Sequence, residues 1–127
     1  MKRFRLAAAL AVGLTVTAGA LALGGLSGSY TTKITGAPSA QLNGTWTLKF
    51  ASGGGYSIVQ NGHIVVKGVA SYEQGAIVFT DKSGPAACQA KGSYRYIVGG
   101  KSLRFIAYTD TCAGRKFVLT HKFTKTG

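Results

Sequence analysis

The chain has 127 residues, enough for one domain, and its formal net charge of +12 comes from 15 basic residues opposed by only three acidic ones. So few carboxylates, with two histidines and two cysteines, exclude most acid–base enzymes and dedicated zinc sites. We therefore expect no catalysis, no cofactor and no bound metal. The positive charge favours anionic partners, or it serves only to keep the protein soluble and monomeric.

Residues 1–22 predict a secretory signal peptide. Basic residues precede an apolar stretch from Leu6 to Leu26, and Ala18 and Ala20 fit a small-x-small cleavage site. The alternative is an uncleaved membrane anchor, because a bilayer core takes about 20 apolar residues. In either case the positive flank stays inside, so we expect the rest of the chain to be secreted, periplasmic or held at the cell envelope.

Residues 23–41 are small and polar, with Gly36 and Pro38, and predict a flexible linker.

Residues 42–127 predict one all-β domain, because short β-branched and aromatic runs alternate with turn residues and no helical spacing persists. The predicted strands are Gly44–Phe50, Tyr56–Gln60, His63–Tyr72, Ala76–Asp81, Cys88–Val98, Lys101–Thr109 and Arg115–Thr124.

Tight turns between these strands, such as Asn61-Gly62, Gln74-Gly75 and Gly99-Gly100, predict hairpins. Consecutive hairpins favour a single antiparallel up-and-down β-barrel of seven to eight strands, preceded by the N-terminal signal helix. The eighth strand comes either from Tyr30–Thr35 or from a break of His63–Tyr72 at Gly68.

Alternation along the strands separates an inner from an outer face. Trp46, Leu48 and Phe50 share one face of the first predicted strand and would point inward. Much of the positive charge falls on the outer face. The outward basic residues are Lys49, Lys91, Arg95, Arg104, Lys116 and Lys122.

The two cysteines predict a disulfide. If the Gly99-Gly100 turn pairs Val98 with Lys101, Cys88 faces Thr111, and a one-residue bulge or a shifted turn brings it opposite Cys112. Two cysteines that meet at the open end of one hairpin in an exported protein should be bonded.

Several short motifs resemble those of the calycins, the superfamily of lipocalins and avidins. Gly44-Thr45-Trp46 is similar to the Gly-x-Trp motif, and Thr109-Asp110-Thr111 to the lipocalin Thr-Asp-Tyr motif. Small bacterial lipocalin-like proteins also carry a Gly-Pro segment before a Cys, a Gly-x-Tyr strand and a late Asp-x-Cys-x-x-Arg. The corresponding segments here are Gly84 to Cys88, Gly92 to Tyr94 and Asp110 to Arg115.

The resemblance implies structural roles for three residues. Trp46 would plug the closed end of the barrel, and Arg115 would stack on its indole as a cation over a π face. Asp110 would hold Arg115 or accept hydrogen bonds from turn amides.

A barrel of this size has room for packed side chains or for one small ligand. The candidate ligand-binding residues are Tyr56, Phe79, Tyr94, Tyr96, Phe105 and His121. Apolar walls with a few hydroxyls suit a small hydrophobic or amphipathic molecule. The competing interpretation is that these aromatic rings simply fill the barrel and that His121 is a hydrogen-bonded core residue.

The sequence thus favours an exported lipocalin-like binding protein that acts as a monomer and has a basic outer surface for an anionic envelope. The alternative is a protein-interaction module, such as an inhibitor of an exported protease, which would use Tyr30–Ala40 as its arm. A third interpretation, an enzyme with its active site inside the barrel, is disfavoured because the chain has too few carboxylates. Nucleic acid is not an expected partner, because Tyr108 with Arg95 and Arg104 is the one outward aromatic and basic cluster.

Overall fold

Eight antiparallel strands close into a barrel within residues 25–127, the part of the chain that this computed structural model describes. The predicted signal peptide lies outside the described residues. In chain order the elements are β1 (Gly28–Ile34), a 3-10 helix (Ala40–Leu42), β2 (Gly44–Phe50), β3 (Gly55–Gln60), β4 (His63–Glu73), β5 (Ala76–Ser83), β6 (Gly92–Gly99), β7 (Ser102–Thr109), α1 (Ala113–Leu119) and β8 (Phe123–Lys125). Within this range no helix is long and apolar enough to cross a membrane.

The topology is up-and-down. Each of β1 to β7 pairs with its neighbour in sequence, and β8 pairs with both β7 and β1, which closes the barrel. The all-β class and the closed barrel are therefore confirmed, and the architecture is compatible with a lipocalin-like fold.

The segment that forms β1 was expected to belong to a flexible linker, and that expectation is wrong for Gly28–Ile34. This segment pairs with β2 along its whole length, from Gly28 opposite Phe50 to Ile34 opposite Gly44. Tyr30 and Ile34 are buried on the inner face, and their burial holds the segment in the sheet. The alternative eighth strand near Tyr30–Thr35 is thus confirmed. The start of the arm proposed for a protease inhibitor is consequently part of the barrel.

The expected strand over Arg115–Thr124 is also wrong. Residues Ala113–Leu119 form the helix α1, and only Phe123–Lys125 is a strand. The buried residues of α1 are Arg115, Val118 and Leu119, which is the i, i+3, i+4 spacing of one helix face. The alternation of Phe117, Leu119, His121 and Phe123 concealed this pattern, because its period of two is that of a strand.

Two hairpin turns follow the prediction closely. Asn61-Gly62 and Gln74-Gly75 both have positive φ at each residue, at 51° and 84° and at 46° and 85°. Such pairs match the right-handed twist of the strands that they connect. The strand β4 continues past Gly68, with a bulge between Lys67 and Gly68 instead of a break.

The register of the β6–β7 hairpin differs from the prediction. Val98 pairs with Leu103 and Gly99 with Ser102, so the turn residues are Gly100 and Lys101. The strand β6 begins at Gly92. Cys88 therefore lies in the preceding loop, whereas it was expected to be the first residue of this strand.

The barrel has two distinct ends. The Trp46 end carries the start of β2, the Asn61-Gly62 turn and the start of α1; the Gly100 end carries the Gln74-Gly75 and Gly100-Lys101 turns. The helix α1 begins at the Trp46 end and runs beside β7, where the three-residue β8 does not reach. Leu119 of this helix is fully buried, so α1 closes the wall that a longer strand would otherwise form.

Aromatic rings fill the barrel from its middle toward the Gly100 end. Phe79 is fully buried at the centre, with its ring centroid 5.1 Å from Tyr56, 5.7 Å from Tyr94 and 5.6 Å from Phe105. These contacts are all edge-to-face, the arrangement that aromatic quadrupoles favour. This part of the interior is packed core.

Gly68 gives the Tyr56 ring its space, which generates a stability prediction. A Cβ at this position would collide with the Tyr56 hydroxyl and the Thr80 carbonyl. We expect Gly68→Ala to lower the free energy of unfolding by about 1–3 kcal/mol, the usual cost of overpacking. Gly55→Ala is the control, because a Cβ there meets no atom within 4 Å. Urea denaturation of both variants measures the difference, and equal stabilities would contradict the account.

Candidate ligand-binding site

A buried ionic cluster crosses the barrel interior, and Arg115 is its centre. Its side chain is only 3% exposed, although Arg115 lies in the first turn of α1. The guanidinium Nε and Nη2 donate to Asp110 at 2.8 Å, and Nη2 also donates to the Ala90 carbonyl at 2.6 Å. The third nitrogen, Nη1, forms an ion pair with Asp81 at 3.2 Å. One guanidinium thus joins two carboxylates from different strand ends.

Two phenols connect the aromatic core to this cluster. The Tyr56 hydroxyl donates to Asp81, and the Tyr94 hydroxyl donates to Asp110. Both rings pack against Phe79, so each tyrosine has its ring in the core and its hydroxyl on a carboxylate. The cluster and the aromatic core are therefore one continuous structure.

Backbone amides supply the remaining donors. The N–H of Cys88 donates to Asp81 and the N–H of Cys112 donates to Asp110, each at 2.9 Å. Each carboxylate consequently accepts from a phenol and an amide and faces the guanidinium. A buried charge needs such partners because desolvation alone strongly disfavours it.

The cluster shifts the pKa values of its members. Burial alone would raise the pKa of Asp110, but hydrogen bonds from Arg115, Tyr94 and the Cys112 amide outweigh burial and lower it. Burial, followed by the hydrogen bond to Asp110, raises the pKa of Tyr94. Burial opposes the charge of Arg115, but the hydrogen bond and charge of Asp110 raise its pKa further. The carboxylate and the guanidinium remain charged at neutral pH.

Gly92 allows the cluster to close. A Cβ at this position would lie 2.6 Å from Asp110 Oδ2 and 2.9 Å from Arg115 Nη2. The Gly-x-Tyr and Asp-x-Cys-x-x-Arg motifs of the sequence therefore meet in space, with Tyr94 on Asp110 and Asp110 on Arg115.

A cavity of about 260 Å³ lies at the Trp46 end of the barrel, against the Asp81 and Arg115 side of the cluster. Most of its lining is aliphatic or aromatic. We call it the Trp46 cavity; its lining residues are Leu42, Trp46, Ile58, Val66, Asp81, Ala86, Cys88, Cys112, Gly114, Arg115, Val118 and Leu119. The Trp46 indole is held in place by a 2.9 Å hydrogen bond from Nε1 to the Leu42 carbonyl.

The disulfide between Cys88 and Cys112 forms part of the cavity wall, which confirms the predicted pairing. It ties the loop before β6 to the residue that precedes α1, with the two Cα atoms 6.2 Å apart. For a sequence separation of 24, the chain-entropy model gives about 3.5 kcal/mol of stabilisation. The bond keeps the Cys88 and Cys112 amides in position to donate to Asp81 and Asp110.

The six predicted ligand-binding residues do not enclose one cavity. Phe79, Tyr94 and Phe105 are at most 3% exposed and belong to the packed aromatic core. Tyr56 is buried between that core and Asp81. This distribution matches the competing interpretation, in which aromatic rings fill the middle of the barrel.

The other two lie at separate places. Tyr96 lines a second recess of about 460 Å³ at the Gly100 end, beside Lys125 and Tyr30. His121 is half-buried just after α1, with Nδ1 2.8 Å from the Phe117 carbonyl and its ring 4.9 Å from the Phe117 ring.

The predicted structural residues Trp46, Asp110 and Arg115 lie near one another. Asp110 makes the expected contacts, but Arg115 does not. Asp110 both holds Arg115 and accepts from a turn amide, so both proposed roles occur together. Arg115 and Trp46 line the same cavity, yet the guanidinium bonds to carboxylates and a carbonyl. Within residues 25–127 the cation–π contact is that of Lys125 with Tyr30, so the expected stacking of Arg115 on the Trp46 indole is not present.

Asp81 is the member of the ionic cluster that was not identified from the sequence. Ile77 and Phe79 are fully buried on β5, and the alternation of the strand places Asp81 next on the same inner face. The sequence did contain a signal for this residue, because an acidic side chain stands at an inward-facing position of the strand in a chain with only three acidic residues.

No family model, curated protein or solved structure matches this chain. Among the described residues, no three His, Cys, Asp or Glu side chains are grouped so that they could hold a metal ion.

The lowered pKa of Asp110 predicts how stability depends on pH. Its charged form stabilises the folded state above the ordinary carboxyl pKa of about 4, and this contribution is lost as the pH falls below that value. We expect Asp110→Asn to cost about 3 kcal/mol at pH 7, because it leaves Arg115 with one carboxylate. Urea denaturation between pH 7 and pH 2 should then show a smaller loss on acidification than in the wild type. An unchanged acid dependence would contradict the role of Asp110.

Proposed function

We propose that this chain is an exported calycin of the lipocalin type that binds one small, mostly apolar molecule in the Trp46 cavity. The protein acts as a monomer and carries out no reaction. The observation that carries this proposal is the apolar cavity itself, between the ionic cluster and the segment that the disulfide holds.

The size and chemistry of the cavity favour such a ligand. An apolar protein cavity of about 150 Å³ holds a benzene molecule, so about 260 Å³ is enough for a two-ring aromatic or an eight-carbon chain. The walls from Trp46, Ile58 and Val66 offer apolar contact, which is the main driving force for burying such a molecule.

The polar groups of the site favour binding over catalysis. Asp81, Asp110 and Arg115 are bonded to one another and to phenols and amides, so none is placed as a free acid or base. The disulfide supports export, because such bonds persist in oxidising compartments. Rigid polar groups behind an apolar cavity are typical of a preformed binding site.

The single tryptophan makes the proposal directly testable, since Trp46 lies in the cavity wall. Titration with 1-octanol, an uncharged amphipathic probe, should change the Trp46 emission in a saturable way. The variant Gly114→Leu places a side chain at the cavity edge, where a Cβ meets only Leu42 at 3.8 Å. We expect it to weaken octanol binding at least tenfold and to leave the fold intact.

Gly114→Ala is the matched control. It adds one methyl group at the same helical position and should bind octanol as the wild type does, with a stability gain of about 0.5–1 kcal/mol because alanine favours the helix. Equal octanol affinity in the Leu and Ala variants would place the ligand elsewhere. No saturable change in the wild type would overturn the proposed function.

A further inference from the structure

The exposed charge of residues 25–127 has almost a single sign. All lysines and arginines in this range except Arg115 are exposed. Of the three acidic residues, Asp81 and Asp110 have buried side chains that pair with Arg115, and only Glu73 is exposed. The ionic cluster therefore removes the acids from the surface and leaves it strongly cationic.

One part of the barrel wall combines this charge with exposed apolar side chains. On β6 and β7, Arg95 pairs with Ile106 and Ile97 pairs with Arg104, so cationic and aliphatic residues alternate across the two strands. Ile97 is 45% exposed, Ile106 50% and Tyr108 62%. We call Arg95, Ile97, Arg104, Ile106 and Tyr108 the β6–β7 patch.

We propose that the β6–β7 patch docks the protein on an anionic phospholipid bilayer. The arginines are complementary to the phosphate groups, and each basic residue near an anionic membrane strengthens binding about fivefold, which corresponds to about 1 kcal/mol. Exposed isoleucines gain free energy when they leave water for the region between headgroups and acyl chains. Tyr108 has the amphipathic ring that is enriched at that depth.

The apolar residues distinguish a bilayer from a soluble polyanion. A nucleic acid or an acidic polysaccharide would bind the arginines through its charges, but it offers no apolar phase for Ile97 and Ile106. A bilayer uses both kinds of side chain. The patch lies on the outer wall of β6 and β7, whereas the Trp46 cavity is inside the barrel, so this docking is independent of ligand binding.

The test is co-sedimentation of the full chain with vesicles of phosphatidylglycerol and phosphatidylcholine, compared with vesicles of phosphatidylcholine alone. Every variant shares residues 1–24, so differences between variants report on the barrel. We expect Arg95→Gln with Arg104→Gln to lower the partition coefficient on anionic vesicles at least tenfold. We expect Ile97→Ser with Ile106→Ser to lower it at least fivefold at constant charge.

Two matched controls lie away from the patch. Lys49→Gln with Lys67→Gln removes the same charge from β2 and β4, the strands on either side of β3 across the barrel. Ile64→Ser with Val69→Ser removes exposed apolar groups from β4. Both controls should change the partition coefficient less than twofold.

Two outcomes would overturn the proposal. Equal losses in the two charge variants would show that overall charge, and not the patch, attracts the protein to membranes. An unchanged partition coefficient in the Ile97 and Ile106 variant would show that no apolar phase is entered, as expected for a soluble polyanionic partner. Because Gly114→Leu lies outside the patch, its membrane binding should equal that of the wild type, which separates this test from that of the proposed ligand.

Discussion

The rest of the structure depends on the ion pairs of Arg115. A guanidinium in the first turn of a short helix is buried with two carboxylates that come from the ends of β5 and β7. Burying these charges costs free energy, and paired burial in itself is weak support for stability. Its effect is positional, because the buried guanidinium binds the loop carbonyl of Ala90 and both carboxylates and so holds the start of α1 against them.

This arrangement divides the barrel interior into two parts with different properties. On one side, Tyr56 and Tyr94 extend from an aromatic core that is filled by Phe79 and its neighbours. On the other side, α1 and the disulfide enclose the Trp46 cavity. The same pairing also withdraws two of the three acids from the surface, which leaves the outer wall cationic. The ion pairs of Arg115 therefore affect both the division of the barrel interior and the charge of its outer wall.

Much of the fold could be predicted from the sequence because hairpins depend on local signals. The Asn61-Gly62 and Gln74-Gly75 turns, the inward phase of Trp46 and the disulfide all follow from short patterns. The strand β1 was ambiguous, because its small and polar residues resemble a linker until β2 is paired beside them.

The site was harder to predict because it depends on Arg115, the one buried arginine among residues 25–127. From the sequence, Arg115 was expected to lie against the Trp46 indole, whereas in the structure it pairs with Asp110 and with the distant Asp81. Without that pair, the helical spacing of Arg115, Val118 and Leu119 is hidden, and the cavity that the helix covers cannot be placed. Phe79, Tyr94 and Phe105, three of the predicted ligand-binding residues, are instead packed against one another in the core.

The division of the interior into a filled part and a cavity is the central claim, and xenon tests it most directly. Dissolved xenon enters apolar protein cavities and perturbs the methyl groups around them. In a methyl NMR titration, we predict saturable shifts for Ile58, Val66 and Val118, which line the Trp46 cavity, and none for Ile77 or Leu103 in the packed part. Saturable shifts at Ile77 and Leu103, with none at the cavity methyls, would contradict the account.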